Sequence, residues 1–311
     1  MVFVLIINKM GSHPTISKQL IETQGFKNVP PVILVSGEVG FYYINAEKLV
    51  RDGGVFEEHK KDSQAMFEHA VEMTREHPEF NEVIDIITQK ASELVDFSTP
   101  GRFVSGGQTR DWLFSCPVAY KLRVPHISIY KDGKVEAITP DRQKVEIAYY
   151  KTEGSEALHI ADLLTEASSC YRVEGNREKG WIPSLRQKGF RISNLLAVVD
   201  RKQGGVTRLK EQGVGAYCFV EIDEEFLREH SENPERDIAY NRNPRSVVEA
   251  YLRENGALAL AGNFDPNGGK LDRAKKFMER YRDVLEEGGK FEELDYAVQD
   301  KYGKSLGELV G

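Results

Sequence analysis

The sequence predicts an α/β protein built around a parallel sheet covered by helices. Short apolar, β-branched runs recur at 124–130, 158–161, 192–199 and 216–222, and segments of helix length separate them. That alternation is the mark of a parallel, helix-covered sheet. Glycines close two of the separating segments, Gly189 and Gly213, where helix C-caps belong. With 311 residues, 40% of them hydrophobic and 29% charged, the chain has enough apolar material for one or two packed domains, and wholesale disorder is excluded.

Taken in order, the elements read as follows. Val2 to Ile7 is a strand or an extension: it falls far short of the ~20 residues needed to span a bilayer and lacks a basic start and a cleavage site. From Phe56 to Val95 the apolar spacing is helical, with Phe67, Ala70, Val71 and Met73 on one stripe. Pro78 breaks it, and Val83, Ile86, Ile87, Ala91, Leu94 and Val95 form another. After Pro100-Gly101 a strand at Phe103 leads to a helix over Asp111 to Leu122. Lys134 to Tyr150, with polar alternation about Pro140-Asp141, reads as a hairpin inserted between two parallel strands. Helices are expected over Ile182 to Lys188 and Gly205 to Gln212. From Ser231 the chain turns polar and helical, with Pro244 opening one helix and Leu271 to Leu285 forming another. These textures divide the chain at about 100 and 231, into segments 1–100, 101–230 and 231–311.

Charge narrows the function classes. Lys plus Arg is 42 against 49 for Asp plus Glu, a net charge of −7. That balance offers none of the basic excess of a general nucleic-acid or membrane-surface binder, so an anionic ligand must meet a local basic cluster. Cys116, Cys170 and Cys218 are too few and too scattered for a disulfide framework or a zinc site. A cytoplasmic location is expected, and Cys116 and Cys170 are expected to be buried structural thiols.

Three segments carry chemistry. In 158–169 an apolar strand delivers Asp162, two more apolar residues and a hydroxyl-rich turn holding Thr165, Ser168 and Ser169. The carboxyl ends of parallel strands are where ligands bind, and a turn leading into a helix presents amides to phosphate. An ordinary strand end with a side-chain cap fits the same residues. The second segment, Lys131-Asp132-Gly133-Lys134, follows a strand and reads equally as a solvated hairpin turn. In the third, Phe103 to Trp112, a glycine pair at Gly106-Gly107 lets backbone approach closely, and Arg110 can add a bidentate contact.

The 158–169 run resembles the ribose-phosphate signature of the type I phosphoribosyltransferases, a strand ending in acids followed by a Thr-x-Gly-x-Ser type loop. Further segments resemble the orotate phosphoribosyltransferase branch in the same chain order: Ser36-Gly37 with Phe41-Tyr42-Tyr43, and Val199-Asp200-Arg201 with Gly204-Gly205. The similarity covers roughly residues 30 to 225. It implies a phosphoribosyltransferase core with a small N-terminal hood and a C-terminal helical extension. The implied reaction moves a 5-phosphoribosyl group from phosphoribosyl pyrophosphate to a pyrimidine base, with Mg2+ bridging the diphosphate. By the same resemblance Asp162 holds the ribose hydroxyls and through them the metal, and Thr165, Ser168 and Ser169 hold the 5-phosphate. Arg110, Lys131 and Lys134 neutralise diphosphate, Arg201 orients the base and Tyr43 helps cover it. The resemblance also implies a homodimer.

The chain departs from the family pattern at several positions. Ala161 stands where the first acid of the pair belongs, Ala167 where the loop glycine belongs, Tyr130 for an arginine and Glu136 for a histidine, and Phe114 occupies the nearest slot to a missing lysine. Each change removes charge or shape complementarity to a polyphosphate. A second function therefore stands beside the first, a non-catalytic regulator that binds phosphoribosyl pyrophosphate or a nucleotide in the same cradle.

Overall fold

The computed structural model describes residues 12–34, 36–51, 56–149, 151, 153–255 and 258–310; the run Val2 to Ile7 and Tyr150 at the end of the expected hairpin lie outside them. The chain runs α1 (Pro14–Glu22), β1 (Phe26–Ile33), β2 (Val39–Ile44), a 3-10 turn (Ala46–Val50), α2 (Phe56–His59), α3 (Ser63–Glu76) and α4 (Pro78–Leu94). Next come β3 (Arg102–Gly107), α5 (Asp111–Leu122), β4 (His126–Ile129), β5 (Val135–Ile138), β6 (Lys144–Val145) and β7 (Glu156–Leu164). They are followed by β8 (Arg172–Glu174), β9 (Arg177–Lys179), α6 (Trp181–Gln187), β10 (Asn194–Asp200), α7 (Gly205–Glu211) and β11 (Gly215–Glu221). The chain closes with α8 (Glu224–His230), α9 (Pro234–Arg242), α10 (Pro244–Asn255), a 3-10 turn (Leu258–Phe264), α11 (Leu271–Glu287), α12 (Phe291–Tyr302) and α13 (Leu306–Val310).

By contacts the chain forms two compact units. The first joins residues up to Gly25 with Asn45–Ile222, and the second joins Phe26–Ile44 with the chain from Asp223 onward. These units do not follow the divisions at 100 and 231 that texture suggests.

The first unit holds a seven-stranded sheet in the order β11-β10-β7-β3-β4-β5-β6. The pairs from β11 to β4 are parallel, and β5 and β6 add an antiparallel edge. That edge is the hairpin expected within 134–150. Parallel strands need both faces covered, and β7 accordingly reads Glu-Ala-Leu-His-Ile-Ala with every one of those residues buried. One layer of the core gathers Phe103, Ile127, Ala157, Ile182, Leu195 and Leu209 from strands and helices far apart in sequence. Helices α3 and α4 break at Pro78, as expected: the proline opens α4, where its missing N–H costs nothing. Helix α5 is buried from Asp111 to Ala119, so Trp112, Leu113 and Phe114 pack on all sides, each contributing about 2–3 kcal/mol. Phe114 meets Phe80 edge-on at 6.0 Å, which makes it a core residue.

Parallel order brings the carboxyl ends of β3, β4, β7 and β10 to one edge of the sheet, so the segments after Gly107, Ile129, Leu164 and Asp200 all emerge there.

In the second unit, among the described residues, β1 and β2 have only each other as strand partners, in antiparallel register Phe26↔Ile44. Their apolar side chains find cover among distant helices. Phe41 sits edge-on to Tyr240 and Tyr251, each at 5.3 Å, and Asn28 Nδ2 donates to the His230 carbonyl at 3.2 Å. Glu38 pairs with Arg280 and accepts from the Tyr281 hydroxyl. The need to bury both faces of a lone hairpin thus joins residues 26–44 to the C-terminal helices. Among the described residues no helix is long and apolar enough to cross a membrane.

Candidate functional site

The bend after β7 is built from its own backbone. Ala167 adopts a left-handed φ of 55°, and its carbonyl accepts from the amides of Cys170 at 3.0 Å and Tyr171 at 2.9 Å. An alanine held left-handed costs about 1 kcal/mol, which burial of its methyl in the core largely offsets. Ser168 and Ser169 are exposed, Thr165 is half-buried, and Glu166 faces solvent. Within the protein, among the described residues, the amides of Glu166, Ala167, Ser168 and Ser169 donate no hydrogen bond. Successive unpaired amides of this kind form a concave anion receptor.

The expected turn into a helix is corrected here. Residues 172–179 fold as the exposed hairpin β8–β9, and α6 starts only at Trp181. Its first amides are already taken: Trp181 N donates to the Ser169 carbonyl and Ile182 N to the Cys170 carbonyl, both at 3.0 Å. Helix α6 therefore presents neither of these amides to a ligand. Trp181 is half-buried, and its indole fills the space that a Cβ on Gly107 would need.

On the other side of the bend, the Arg201 amide donates to the Leu164 carbonyl and the Gly205 amide to the Thr165 carbonyl, both at 2.9 Å. A Cβ at Gly205 would lie 2.5 Å from that carbonyl oxygen and 3.1 Å from the Ala167 amide. Gly205→Ala is therefore expected to push the bend outward, lowering stability by about 2 kcal/mol and weakening phosphate binding, as urea unfolding and calorimetry will read.

Asp162 lies near the end of β7, half-buried, and a second acid meets it there from α5. Asp111 Oδ1 accepts from the Asp162 amide at 2.9 Å, and its Oδ2 accepts from the Gly107 amide at 3.0 Å. Burial and the neighbouring Asp162 charge push Asp111 well above the ordinary carboxylate range; burial also raises Asp162, against the hydrogen bond from Asp111 and the charge of Arg110. Two buried carboxyls this close resist ionising together, and the more deeply buried Asp111 is the one pushed further up. His159 lies behind them, fully buried, with Nδ1 3.1 Å from Ser105 Oγ and Nε2 3.7 Å from Asp111 Oδ2. Burial pushes its pKa down to about 3, so the ring is neutral. The Asp111–Asp162 pair was invisible in sequence, because the two acids stand on separate elements with no spacing that links them.

The cations lie around this centre, each with its own surroundings. Arg110, just before α5, is exposed and its Nε donates to Glu47 at 3.0 Å. Lys131 and Lys134 occupy the turn between β4 and β5, and the Lys131 amide donates to Gln108 Oε1 at 3.1 Å, tying that turn to the segment after β3. Lys134 Nζ is 2.7 Å from Glu136 and 5.1 Å from the centre of the Tyr130 ring. Burial works to raise Glu136, but hydrogen bonds from Lys134, Ser63 and Tyr130 outweigh it and hold the acid down at about 2. The Lys131 ammonium makes no ion pair among the described residues. Arg201 is buried directly after β10. Tyr43, on β2, belongs to the other unit.

Among the described residues no group of three or more His, Cys, Asp or Glu is placed to hold a metal. Asp111 has both carboxyl oxygens on the Gly107 and Asp162 amides, so of the pair Asp162 is the acid open to an ion that arrives with the donor. Cys116 and Cys170 are buried, and burial raises both thiols, which makes them structural.

The chain matches no protein-family model. Over 125 residues it is 30% identical to the adenine phosphoribosyltransferase of Nitrosomonas eutropha, a match covering 39% of this chain and 71% of that one. With the adenine phosphoribosyltransferase of Yersinia enterocolitica it shares 27% identity over 129 residues, 38% of this chain and 65% of the relative. Among solved structures, orotate phosphoribosyltransferase from Aeropyrum pernix superposes on 69% of this chain and 98% of its own, at 17% identity and a TM-score of 0.46. UMP synthase from Leishmania donovani covers 72% of this chain with 40% of its own length, at 16% identity and a TM-score of 0.44.

Proposed function

Because the chain belongs to the type I phosphoribosyltransferase family, we propose that it binds phosphoribosyl pyrophosphate along the carboxyl ends of β3, β4, β7 and β10 and transfers its 5-phosphoribosyl group to a nucleobase. The observation that carries this reading is the bend 165–169, whose unpaired amides follow Asp162 by a few residues at the end of the central strand. In it, Thr165, Ser168, Ser169 and those amides hold the 5-phosphate. Asp162 accepts from the ribose hydroxyls, with Asp111 behind it.

A base ring nitrogen that has already given up its proton to solvent attacks C1 of the ribose, the bond from C1 to the diphosphate oxygen breaks, and the diphosphate leaves with the electron pair. Arg110, Lys131 and Lys134 neutralise that leaving charge. Two of these cations already have acid partners, Glu47 and Glu136. In both pairs the cation is about half exposed (47% and 59%) while its acid is mostly covered (18% and 17%), so each cation has an open side to turn to a diphosphate. Asp162, in accepting from the ribose hydroxyls, would hold the donor beside a Mg2+, and that ion would supply further charge neutralisation. The acceptor we propose is a pyrimidine carrying a carboxylate, such as orotate, which the guanidinium of Arg201 complements. A homodimer is the proposed assembly.

Binding without turnover is the second reading, and a specific observation favours it: Ala161 removes one strand acid, while Glu166 places a negative charge on the bend that must hold a phosphate. Titration calorimetry with phosphoribosyl pyrophosphate, run beside diphosphate release with orotate, other pyrimidines and adenine, separates the two. Turnover with orotate is the expected result. Binding with no release on any base selects the regulator, and no binding at all removes the reading. The double variant Lys131→Ala/Lys134→Ala is expected to weaken the donor about 10-fold while ribose 5-phosphate stays within about twofold.

A further inference from the structure

Asp111 belongs to neither half of the proposed donor site, yet it touches both. Its Oδ2 takes the amide of Gly107, which opens the segment facing the diphosphate, and its Oδ1 takes the amide of Asp162, which faces the ribose. Its side chain is only 11% exposed, and the helix that carries it is pinned to the same strand by Trp112 Nε1, which donates to the Gly106 carbonyl at 2.8 Å. Behind it lies fully buried His159, whose Nε2 is 3.7 Å from Asp111 Oδ2, beyond hydrogen-bond reach, so the two amides are the closer partners. Each amide would be left without an acceptor if the carboxyl were lost.

We propose that Asp111 is a positioning residue that locks the diphosphate segment and the ribose acid into one register, so that the two ends of the donor bind cooperatively. The inference rests on the donor-site reading above and adds a partner from α5 to Asp162 on its strand. Its physical basis is preorganisation. A donor spanning two segments held at a fixed separation gains from both contacts at once, whereas segments that move independently each bind their own fragment and lose the joint advantage.

Asp111→Asn separates this role from a general structural one, because the amide group keeps one acceptor oxygen and turns a donor toward the other N–H. Calorimetric affinities for pyrophosphate, ribose 5-phosphate and phosphoribosyl pyrophosphate are compared in both proteins. In the variant each fragment is expected to bind within about threefold of the unsubstituted protein, while the whole donor weakens about 30-fold. An equal loss for fragments and donor, or no loss for either, overturns the proposal. If the unsubstituted protein binds none of the three, the donor-site reading itself falls. Should the variant fail to fold, hydrogen exchange in the unsubstituted protein decides: pyrophosphate alone is expected to slow exchange of the Asp162 amide, and ribose 5-phosphate alone that of Gly107. Protection confined to each ligand's own segment would refute the coupling.

Discussion

Asparagine in place of Asp162 is expected to lower phosphoribosyl transfer about 100-fold while making the protein more stable. The two halves of that result have one cause. Asp162 is half-buried beside Asp111, and the charge of Asp162 is a main reason, after burial, that Asp111 sits so far above the ordinary carboxylate range. A neutral side chain of the same shape removes that repulsion and spares a carboxylate its desolvation, a gain of about 1 kcal/mol. It also removes the charge-assisted acceptor for the ribose hydroxyls, whose loss costs about 2–3 kcal/mol in the transition state. Thermal melting and steady-state rates on the same preparation test both halves. A variant that is less stable and fully active would show that Asp162 is held for the fold alone.

Acid is expected to unfold the first unit through two histidines. His126 and His159 are fully buried and hydrogen-bonded to serines: Ser115 Oγ lies 2.8 Å from His126 Nε2, Ser128 Oγ 3.0 Å from His126 Nδ1, and Ser105 Oγ 3.1 Å from His159 Nδ1. Burial pushes each down to about 3, with the two rings' mutual repulsion adding to His126. In the unfolded chain both titrate near 6.5. The folded state therefore refuses protons that the unfolded state accepts, and the stability these rings contribute is lost as pH falls from about 6.5 toward about 3, on the order of 4 kcal/mol for each. Asp111 works in the opposite sense: its raised pKa costs stability as pH rises above the unfolded carboxylate value. Urea midpoints between pH 7 and pH 4 are expected to fall steeply. The double variant His126→Gln/His159→Gln should flatten the curve by about two protons taken up on unfolding near pH 5. Equal slopes for the two proteins would rule the histidines out as the cause.

Much of this architecture was legible before any coordinates. Apolar runs of strand length and glycine-ended helical stretches located β4, β7, β10, β11, α6 and α7 to within a few residues, and Pro78 marked the break between α3 and α4. The bend at 165–169 stood out because an apolar run ends in an acid and then a cluster of hydroxyls. Other features were out of reach. Nothing in the composition of residues 26–44 says that this hairpin packs with helices beyond Asp223, since an isolated hairpin specifies only that its faces need cover. Nor does the turn at Lys131 to Lys134 reveal that Lys134 is held by Glu136 on the neighbouring strand.

What the amino-acid order determined by itself was the set of local elements and the chemistry each can carry, because periodicity, capping and turn preference act over a few residues. The tertiary structure alone decided which of those chemistries meet. Strand order in the parallel sheet sets Asp111 against Asp162 and Trp181 against Gly107, and the docking of the 3-10 turn 46–50 sets Glu47 against Arg110. Such encounters depend on where whole elements dock, which is decided by burying apolar faces across the full chain and leaves no trace in residue spacing.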